Sequence, residues 1–287
     1  MHRVDAKSLL SQQNGMNIYR GCQHGCIYCD SRSRCYQFTH GFEDIEVKQN
    51  APGLLDQALR SKRRRCMIGT GSMSDPYMPL EREERLMRRC LEIIDRYEFG
   101  AAVITKSDLM LRDLDLLTSI NGKAKAVVQM TMTTYDEQLC RILEPGVCTT
   151  GRRFETLCEL RDSGIPTIVW LSPVLPYIND TRENLEGLLR YCAEAGVRGV
   201  ICFGMGLTLR EGSREYYYAA LDRHFPGLKA RYQKEFGGEY IVNSPNSSAL
   251  MRQFHDFCEK NGIMHDNEQI FSYLRKLPER YEQMSLF

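Results

Sequence analysis

The chain has 287 residues, of which 43% are hydrophobic and 26% charged, and its formal net charge at pH 7 is +1. This composition excludes a disordered chain, and the charge balance excludes a global attraction to nucleic acid or anionic membranes. Its 12 cysteines are scattered through the chain behind a polar amino terminus, and no apolar run approaches the roughly 18 residues of a membrane helix. We therefore expect a reduced, cytoplasmic protein without disulfides and without a membrane partner.

Short β-rich runs alternate with longer amphipathic runs. Strands are predicted at 16–20, 66–70, 101–105, 124–131, 167–171 and 197–203, and helices at 52–62, 80–97, 109–120, 152–163 and 182–195. Asp180 is a candidate N-cap for the last of these helices. Six β/α repeats predict a parallel sheet. The predicted fold class is α/β, a partial (β/α)6 TIM-type barrel at 1–205 with a C-terminal helical and loop extension at 206–287 that packs on or closes the barrel.

Three cysteines lie within eight residues directly after the first predicted strand, where Cys22, Cys26 and Cys29 form a C-x3-C-x2-C pattern. Thiolates this close together indicate a metal, and three of them supply one ligand fewer than a closed iron–sulfur cube takes. A cluster held in this way keeps one iron open for a ligand that is not protein. Cys35 is an alternative fourth ligand, which would make the loop a zinc site. His24 is interpreted as a supporting or solvent-facing group rather than a ligand.

Polar residues also follow the next four predicted strands. Residues 69–77 follow the second strand, Lys106 and Ser107 the third, 131–134 the fourth and 172–173 the fifth. Parallel barrels carry their chemistry on the loops at the carboxyl ends of the strands. We therefore expect all of these residues to meet the cysteine loop at one mouth.

Taken together, the motifs resemble the radical S-adenosylmethionine (SAM) superfamily, and more narrowly its branch related to spore photoproduct lyase and DNA repair photolyases. Besides the cysteine loop, with an aromatic residue before its third cysteine, the similar segments are 17–22, 74–77, 104–107, 111–113, 143–145, 173–176 and 179–180. The resemblance implies a partial barrel of the radical SAM kind. It covers the chain from near its start through the sixth strand and leaves the last eighty or so residues without a motif.

The resemblance also implies a chemistry. The three cysteines would hold a [4Fe-4S] cluster whose open iron binds S-adenosylmethionine, and reductive cleavage would give a 5′-deoxyadenosyl radical that abstracts hydrogen from an unidentified substrate. Nucleic acid is one candidate substrate, and flavodoxin or ferredoxin is the expected type of electron donor. The implied cofactor-binding residues are Tyr28 near the adenine, Gly71, Ser72, Ser74, Thr131, Thr133, and Lys106 or Arg153 at the carboxylate. The implied catalytic residues are Asp75 and Tyr77.

Two departures from the lyase pattern limit the predicted activity. Residues 71–75 contain no hydrogen-donating cysteine, and Asp30 rather than a tyrosine follows Cys29. A serine O–H bond is too strong to return a hydrogen atom to a product radical, so we do not expect repair of spore photoproduct unless Cys35 or Cys66 folds into the gap. The alternatives are an iron–sulfur electron carrier or redox sensor without radical catalysis, and a zinc-stabilised binding module.

Two other patterns have a functional and a structural interpretation. The basic run at 60–65 is suited to phosphates, and equally to neutralising the C-terminus of a helix. Tyr216, Tyr217 and Tyr218 are suited to stacking on bases, and equally to packing at helical spacing with Leu221. The balanced net charge and the helical spacing favour the structural interpretation in each case.

Overall fold

The computed structural model describes residues 1–278. Its strands are β1 His2–Val4, β2 Gly15–Met16, β3 Tyr19–Arg20, β4 Glu46–Lys48, β5 Met67–Thr70, β6 Gly100–Thr105, β7 Ala126–Thr131, β8 Thr167–Trp170, β9 Gly199–Ile201, β10 Gly206–Thr208 and β11 Ile241–Asn243. Its α-helices are α1 Ala51–Ser61, α2 Glu81–Glu84, α3 Leu86–Arg96, α4 Leu114–Lys123, α5 Glu137–Leu143, α6 Thr150–Asp162, α7 Arg182–Glu194, α8 Ser213–His224, α9 Leu228–Phe236, α10 Ser247–Lys260 and α11 Asn267–Arg275. None of these helices has the length and hydropathy needed to cross a membrane. Residues 279–287 of the predicted extension lie outside the described residues.

Six strands form one parallel sheet in the order β2-β5-β6-β7-β8-β9, which confirms the predicted partial barrel. Every residue of β7 is buried, as expected for a parallel strand that is covered on both faces. The register aligns the carboxyl ends of neighbouring strands, because Thr105 pairs with Met130 and Thr131 with Trp170. Residues that follow these strands therefore meet at one edge of the sheet.

Amphipathic helices cover the outer face of this sheet. In α3 the predicted apolar positions Leu86, Cys90, Ile93 and Ile94 are all buried in one core cluster with residues of β5, β6 and β7. Burial of each large aliphatic side chain is worth about 1.5–3 kcal/mol relative to exposure. This packing makes the sheet a rigid support for the loops at its carboxyl edge.

The first predicted strand is divided between two sheets. Its beginning, β2, pairs with β5 at the edge of the central sheet, whereas β3 pairs antiparallel with β4 in a small sheet of order β1-β4-β3. The N–H of Lys48 donates to the carbonyl of Ile18 (3.1 Å), where the chain passes from one sheet to the other. The cysteine loop therefore starts from the small sheet and not directly from the barrel.

The helix predicted at 80–97 is interrupted at Arg85, whose φ of 47° lies in the left-handed region. The cause is the buried carboxylate of Glu81, which accepts hydrogen bonds from the N–H groups of Leu86 and Met87 at 2.9 and 3.0 Å. These N–H groups have no partner within the helix, and the carboxylate satisfies them. The prediction of one continuous helix is therefore wrong, and α3 has its own start.

The prediction of Asp180 as an N-cap is also wrong. The hydroxyl of Thr181 accepts the capping hydrogen bond from the N–H of Asn184 (3.1 Å). The Asp180 carboxylate instead accepts hydrogen bonds from the Ser244 hydroxyl (2.5 Å) and from the N–H of Tyr177 (2.7 Å). It therefore joins the loop after β8 to the segment that precedes α10.

Two parts of the C-terminal region contact the central sheet directly, the segment around Met264 and helix α11. Met264 forms a parallel bridge with Gly199 beside β9, which extends the open edge of the sheet. Ile270 and Leu274 of α11 pack with residues of β5 to β9 in a separate core cluster, so α11 covers a face of the sheet that α1, α3 and α4 do not. The division of the chain at 205 and 206 stays a prediction.

The basic run and the tyrosine cluster both have structural roles. Arg60 pairs with Asp56 within α1, and Arg65 pairs with Glu98 (2.9 and 2.5 Å). Tyr217 is buried, and its hydroxyl lies 3.0 Å from that of Tyr232. These contacts agree with the structural interpretation of each pattern.

Candidate active site

A cavity of about 600 Å³ lies at the carboxyl edge of the central sheet. It is lined by ten of the residues that the sequence indicated, namely Cys22, Cys26, Tyr28, Cys29, Gly71, Ser72, Ser74, Asp75, Lys106 and Thr131. Segments distant in sequence complete the wall, and among their residues are Trp170, Ser172, Pro173, Phe203, Ile241 and Asn243. A cavity of this size suits a small-molecule cofactor or substrate.

Main-chain hydrogen bonds shape the cysteine loop from two sides. The N–H of Cys22 donates to the carbonyl of Phe42 (3.3 Å), and the N–H of Ile27 donates to the carbonyl of Leu143 (3.0 Å). Gly21 has φ +90°, and a Cβ at this position would lie 2.3 Å from the Phe42 carbonyl oxygen. Glycine is therefore required here by the backbone and by the neighbouring carbonyl.

Burial controls the acidity of the three cysteine thiols. Burial and then the Asp75 carboxylate raise the pKa of Cys22 to about 12. Burial, followed by the charge of Glu144, raises the pKa of Cys26, and burial also raises the pKa of Cys29. Such thiols stay protonated at neutral pH unless a metal cation supplies the charge that thiolates need. The three residues are therefore suited to metal binding rather than to nucleophilic catalysis.

The spacing of the three sulfur atoms argues against a single metal ion. Within residues 1–278, the three sulfurs do not all lie within 4.8 Å of one another. Cysteines that share one zinc ion, with Zn–S bonds of about 2.3 Å, would place their sulfurs about 3.8 Å apart. The ligands of an iron–sulfur cube bind different iron atoms and therefore lie farther apart. Cys35, the alternative zinc ligand, is exposed and does not line the cavity.

Asp75 links the cysteine loop to the ends of β5 and β6. Its Oδ1 accepts from the Thr105 hydroxyl (2.7 Å), and its Oδ2 accepts from the main-chain N–H of Lys106 (2.7 Å). Nε2 of the buried His24 lies 3.0 Å from the same Oδ2, and His24 Nδ1 donates to the carbonyl of Gly146 (3.0 Å). Burial acts to raise the pKa of Asp75, but His24 and the hydrogen bonds outweigh it and lower that pKa. Asp75 is therefore an ionised anchor that joins three loops.

A second buried carboxylate, Glu144, lies beneath the loop. It accepts hydrogen bonds from the Tyr28 hydroxyl and from the Arg153 guanidinium, and Lys106 Nζ lies 3.6 Å from its Oε1. Burial alone would raise the pKa of Glu144, but the charges of Arg153 and Lys106 and the bond from Tyr28 lower it. The negative charge of Glu144 is therefore shared between a fully buried arginine and a lysine that reaches the cavity.

Three of the residues indicated by the sequence do not line the cavity. Arg153 is completely buried, and besides its pairing with Glu144 it donates to the carbonyl of Thr131 (3.0 Å). Tyr77 is also completely buried, and its hydroxyl donates to Asp113 (3.1 Å). Thr133 is buried behind the end of β7. Their polar groups are directed into the protein, so the structure corrects the expectation that they face the cofactor.

Gly71 and Ser74 line the cavity and also hold its wall together. Gly71 has φ +95°, and a Cβ there would lie 2.0 Å from the carbonyl oxygen of Ile104. The Ser74 hydroxyl donates to the carbonyl of Gly21. The close approach that requires glycine at position 71 is therefore that of the neighbouring strand β6, and the Ser74 hydroxyl already has a protein partner.

Comparison with known sequences decides the family. A sequence model described as the radical SAM superfamily matches residues 16–192, which is more than half of the chain. The chain belongs to the radical SAM superfamily. It is 29% identical over 265 residues to an uncharacterized protein of Mycobacterium tuberculosis, a match that covers 88% of this chain and 75% of that protein. An uncharacterized protein of Methanocaldococcus jannaschii is 32% identical over 167 residues, covering 58% of this chain and 61% of that one.

Solved structures agree with a radical SAM fold like that of spore photoproduct lyase. A spore photoproduct lyase complexed with dinucleoside spore photoproduct matches with a TM-score of 0.65 and 13% identity, over 92% of this chain and 80% of that one. A mutant of the lyase with bound AdoMet and the dinucleoside gives a TM-score of 0.64 at 13% identity, over 88% of this chain and 75% of that one. At this level of identity the matches show the fold alone.

Sequence reasoning missed two groups of residues around the radical SAM cavity. Glu144 lies in a segment that carries the family resemblance, but no role was inferred for it; the signal was a carboxylate within an apolar turn before proline. The aromatic and apolar rim formed by Trp170, Phe203 and Ile241 was also missed. Phe203 and Ile241 are 64% and 55% exposed, and no local pattern brings β11 to the end of β8.

Proposed function

We propose that this radical SAM enzyme holds a [4Fe-4S] cluster with Cys22, Cys26 and Cys29 and uses it to cleave S-adenosylmethionine reductively. The proposal rests on one observation: three cysteines of one loop, one buried and two half-buried, line a cavity at the carboxyl edge of the sheet and are too widely spaced for a single ion. When bound, the cluster and S-adenosylmethionine would supply a 5′-deoxyadenosyl radical that abstracts hydrogen from the substrate.

The cavity offers suitable partners for the polar groups of S-adenosylmethionine. Lys106 reaches the wall and lies 3.6 Å from Glu144, which is too long for a hydrogen bond, so its ammonium can donate to the cofactor carboxylate. The hydroxyls of Ser72 and Thr131 are suited to the ribose. The Tyr28 hydroxyl is bound to Glu144, so its ring face is what it offers to the adenine.

The substrate is proposed to enter past the apolar rim. Trp170 and Phe203 lie with ring centroids 5.9 Å apart beside the cavity, and such faces can pack against a planar ring. The lyase with a similar fold is described in complex with a dinucleoside, and nucleic acid remains one candidate for this chain. Within residues 1–278, only the three cluster cysteines supply thiols to the cavity wall. Neither Cys35 nor Cys66 lines the cavity, so neither is placed to serve as the missing hydrogen-donating thiol. This supports a reaction other than spore photoproduct repair.

Anaerobic reconstitution tests the proposal. The reconstituted protein should contain about four iron and four sulfide per chain, and after reduction it should release 5′-deoxyadenosine from S-adenosylmethionine. Replacing Cys22, Cys26 or Cys29 by alanine should abolish this release, whereas the matched replacement of the exposed Cys35 should retain it. Full activity in all three cluster variants would exclude the ligand assignment.

The same protein separates the proposal from an electron carrier or redox sensor. A carrier would bind the cluster and cycle between redox states but release no 5′-deoxyadenosine with S-adenosylmethionine present. Reduced flavodoxin or ferredoxin, the proposed type of electron donor, should support release in place of a chemical reductant. Deuterium transfer from a labelled candidate substrate into 5′-deoxyadenosine would identify the hydrogen that is abstracted.

A further inference from the structure

A second group of metal-binding side chains lies on the small β1-β4-β3 sheet, outside the cavity. His2 on β1 and His40 and Asp44 before β4 each place one donor atom within 4.8 Å of the others. His2 Nδ1 lies 3.1 Å from Asp44 Oδ2, and the two imidazole rings are perpendicular with centroids 4.7 Å apart. Two imidazoles and a carboxylate are a common three-residue ligand set for zinc.

His40 has a ring nitrogen that is available to a cation. Its Nδ1 lies 2.9 Å from the carbonyl oxygen of Gly41; a carbonyl only accepts, so Nδ1 carries the hydrogen and Nε2 presents its lone pair. Nε2 is buried and, within the described part of the chain, has no hydrogen-bond partner. Glu46 Oε2 lies 3.6 Å from it. A lone pair that faces a carboxylate is unfavourable unless a proton or a metal ion lies between them, and the donors of His2 and Asp44 favour the metal ion.

The distance between two of the donor atoms agrees with zinc. Zinc bonds of about 2.0–2.1 Å to nitrogen or oxygen place tetrahedral ligands about 3.3 Å apart, close to the 3.1 Å between His2 Nδ1 and Asp44 Oδ2. His2 and Asp44 are 39% and 45% exposed, which leaves room for a water molecule as the fourth ligand. The bond from His40 Nδ1 to a carbonyl also orients a metal-binding imidazole.

We propose that His2, His40 and Asp44 bind one zinc ion that fastens β1 to the segment supporting the cysteine loop. The N–H of His2 already donates to the carbonyl of Ile45 (2.9 Å). Three residues earlier, the Phe42 carbonyl accepts from the N–H of Cys22 (3.3 Å). A zinc ion at this site therefore stabilises the outer support of the loop without contacting the cavity. This inference is independent of the proposed radical chemistry.

The test uses cluster-loaded protein with its own amino terminus and a C-terminal tag, because empty cluster cysteines would bind zinc themselves. After equilibration with micromolar zinc and desalting, elemental analysis should give about one zinc per chain. Zinc X-ray absorption should show only nitrogen and oxygen ligands near 2.0–2.1 Å and no sulfur near 2.3 Å. His2→Gln, His40→Gln and Asp44→Asn should each weaken zinc binding at least about 100-fold, whereas the exposed control His224→Gln should not change it.

Three outcomes would overturn the proposal: wild-type protein with no more zinc than His40→Gln, a zinc spectrum dominated by sulfur, or unchanged affinity in the three variants. His2 and Asp44 lie at the surface, so their variants are expected to fold, and circular dichroism checks this. Iron content and 5′-deoxyadenosine release are measured on the same samples. Loss of zinc with retained iron then separates failure of this site from failure of the cluster assignment.

Discussion

Replacing Glu144 by glutamine tests the buried charge network beneath the cysteine loop. The change removes the carboxylate that faces Arg153 and leaves a fully buried guanidinium without its counter-charge. Breaking a buried pair on one side costs about 3–5 kcal/mol. With about 2.1 cal/mol/K of unfolding entropy per residue, a chain of 287 residues has about 0.6 kcal/mol/K, so we expect the melting temperature to fall by about 5–8 °C.

Anaerobic urea denaturation followed by circular dichroism measures the loss. Glu186→Gln is the matched control, because Glu186 forms a surface pair with Arg190 on α7 and such pairs contribute at most about 0.5 kcal/mol. Arg153→Met should also destabilise the protein, and the double variant Glu144→Gln/Arg153→Met should lose clearly less than the sum of the two single losses. Additive losses, or a Glu144→Gln loss below about 1 kcal/mol, would refute the reasoning.

The lowered pKa of Glu144 predicts that the stability lost in Glu144→Gln depends on pH. The folded protein lowers the pKa of Glu144, so the ionised carboxylate stabilises the fold above its unfolded pKa of about 4.3, and this stabilisation is lost as the pH falls below about 5. The difference in unfolding free energy between wild type and Glu144→Gln should therefore be constant from pH 5 to 8 and shrink in more acidic buffer. A difference that stays the same down to pH 3 would contradict the assignment.

Three further substitutions distinguish residues that support the structure of the site from residues that take part in its chemistry. Gly71→Ala should destabilise the protein by at least about 2 kcal/mol, because residue 71 has a positive φ and contacts β6. The control Gly69→Ala, whose Cβ would meet nothing within 4 Å, should cost about 1 kcal/mol or less. Equal denaturation midpoints for the two variants would contradict this. Tyr77→Phe should lower stability by about 1–3 kcal/mol through the lost buried hydrogen bond and leave 5′-deoxyadenosine release within about twofold of wild type; loss of release in a stable variant would instead make Tyr77 catalytic. Asp75→Asn should keep its iron but weaken S-adenosylmethionine binding about tenfold, because in either orientation its amide NH2 would face a main-chain N–H, that of Lys106 or that of Tyr77; unchanged affinity by equilibrium dialysis would exclude its anchoring role.

The central sheet was predictable because its strands are short apolar runs between amphipathic helices, as β7 and α3 illustrate. The cysteine loop was predictable because its three cysteines lie within eight residues of the sequence. Periodicity does not report where a loop side chain points, which is why Tyr77 and Thr133 were expected at the cavity. Periodicity also does not show that a side chain of the preceding turn caps a helix. The break at Arg85 was therefore missed, because it is caused by the Glu81 carboxylate, which accepts a hydrogen bond from the N–H of Leu86.

Contacts between segments that are distant in sequence explain the other site residues that could not be predicted. Arg153 has the charge expected of a cofactor ligand, and only the position of Glu144 shows that this charge is already neutralised. The rim residue Ile241 reaches the cavity because β11 pairs with β10, and a strand of three residues leaves little signal. Residues indicated by their own chemistry, such as the three cysteines, line the cavity, whereas contacts that depend on distant neighbours were not predicted.

The hydrogen bonds of the cysteine loop also bear on how the enzyme matures. The carbonyl of His24 accepts from the N–H of Gly146 (2.9 Å), and Cys22 and Ile27 are held in the same way by other segments. Small zinc modules gain their shape only when the metal binds, whereas this loop takes its shape from the surrounding protein. If the loop holds the proposed cluster, the chain is therefore expected to fold before iron and sulfide arrive. Iron starvation would then leave a folded, refillable precursor rather than a substrate for proteolysis.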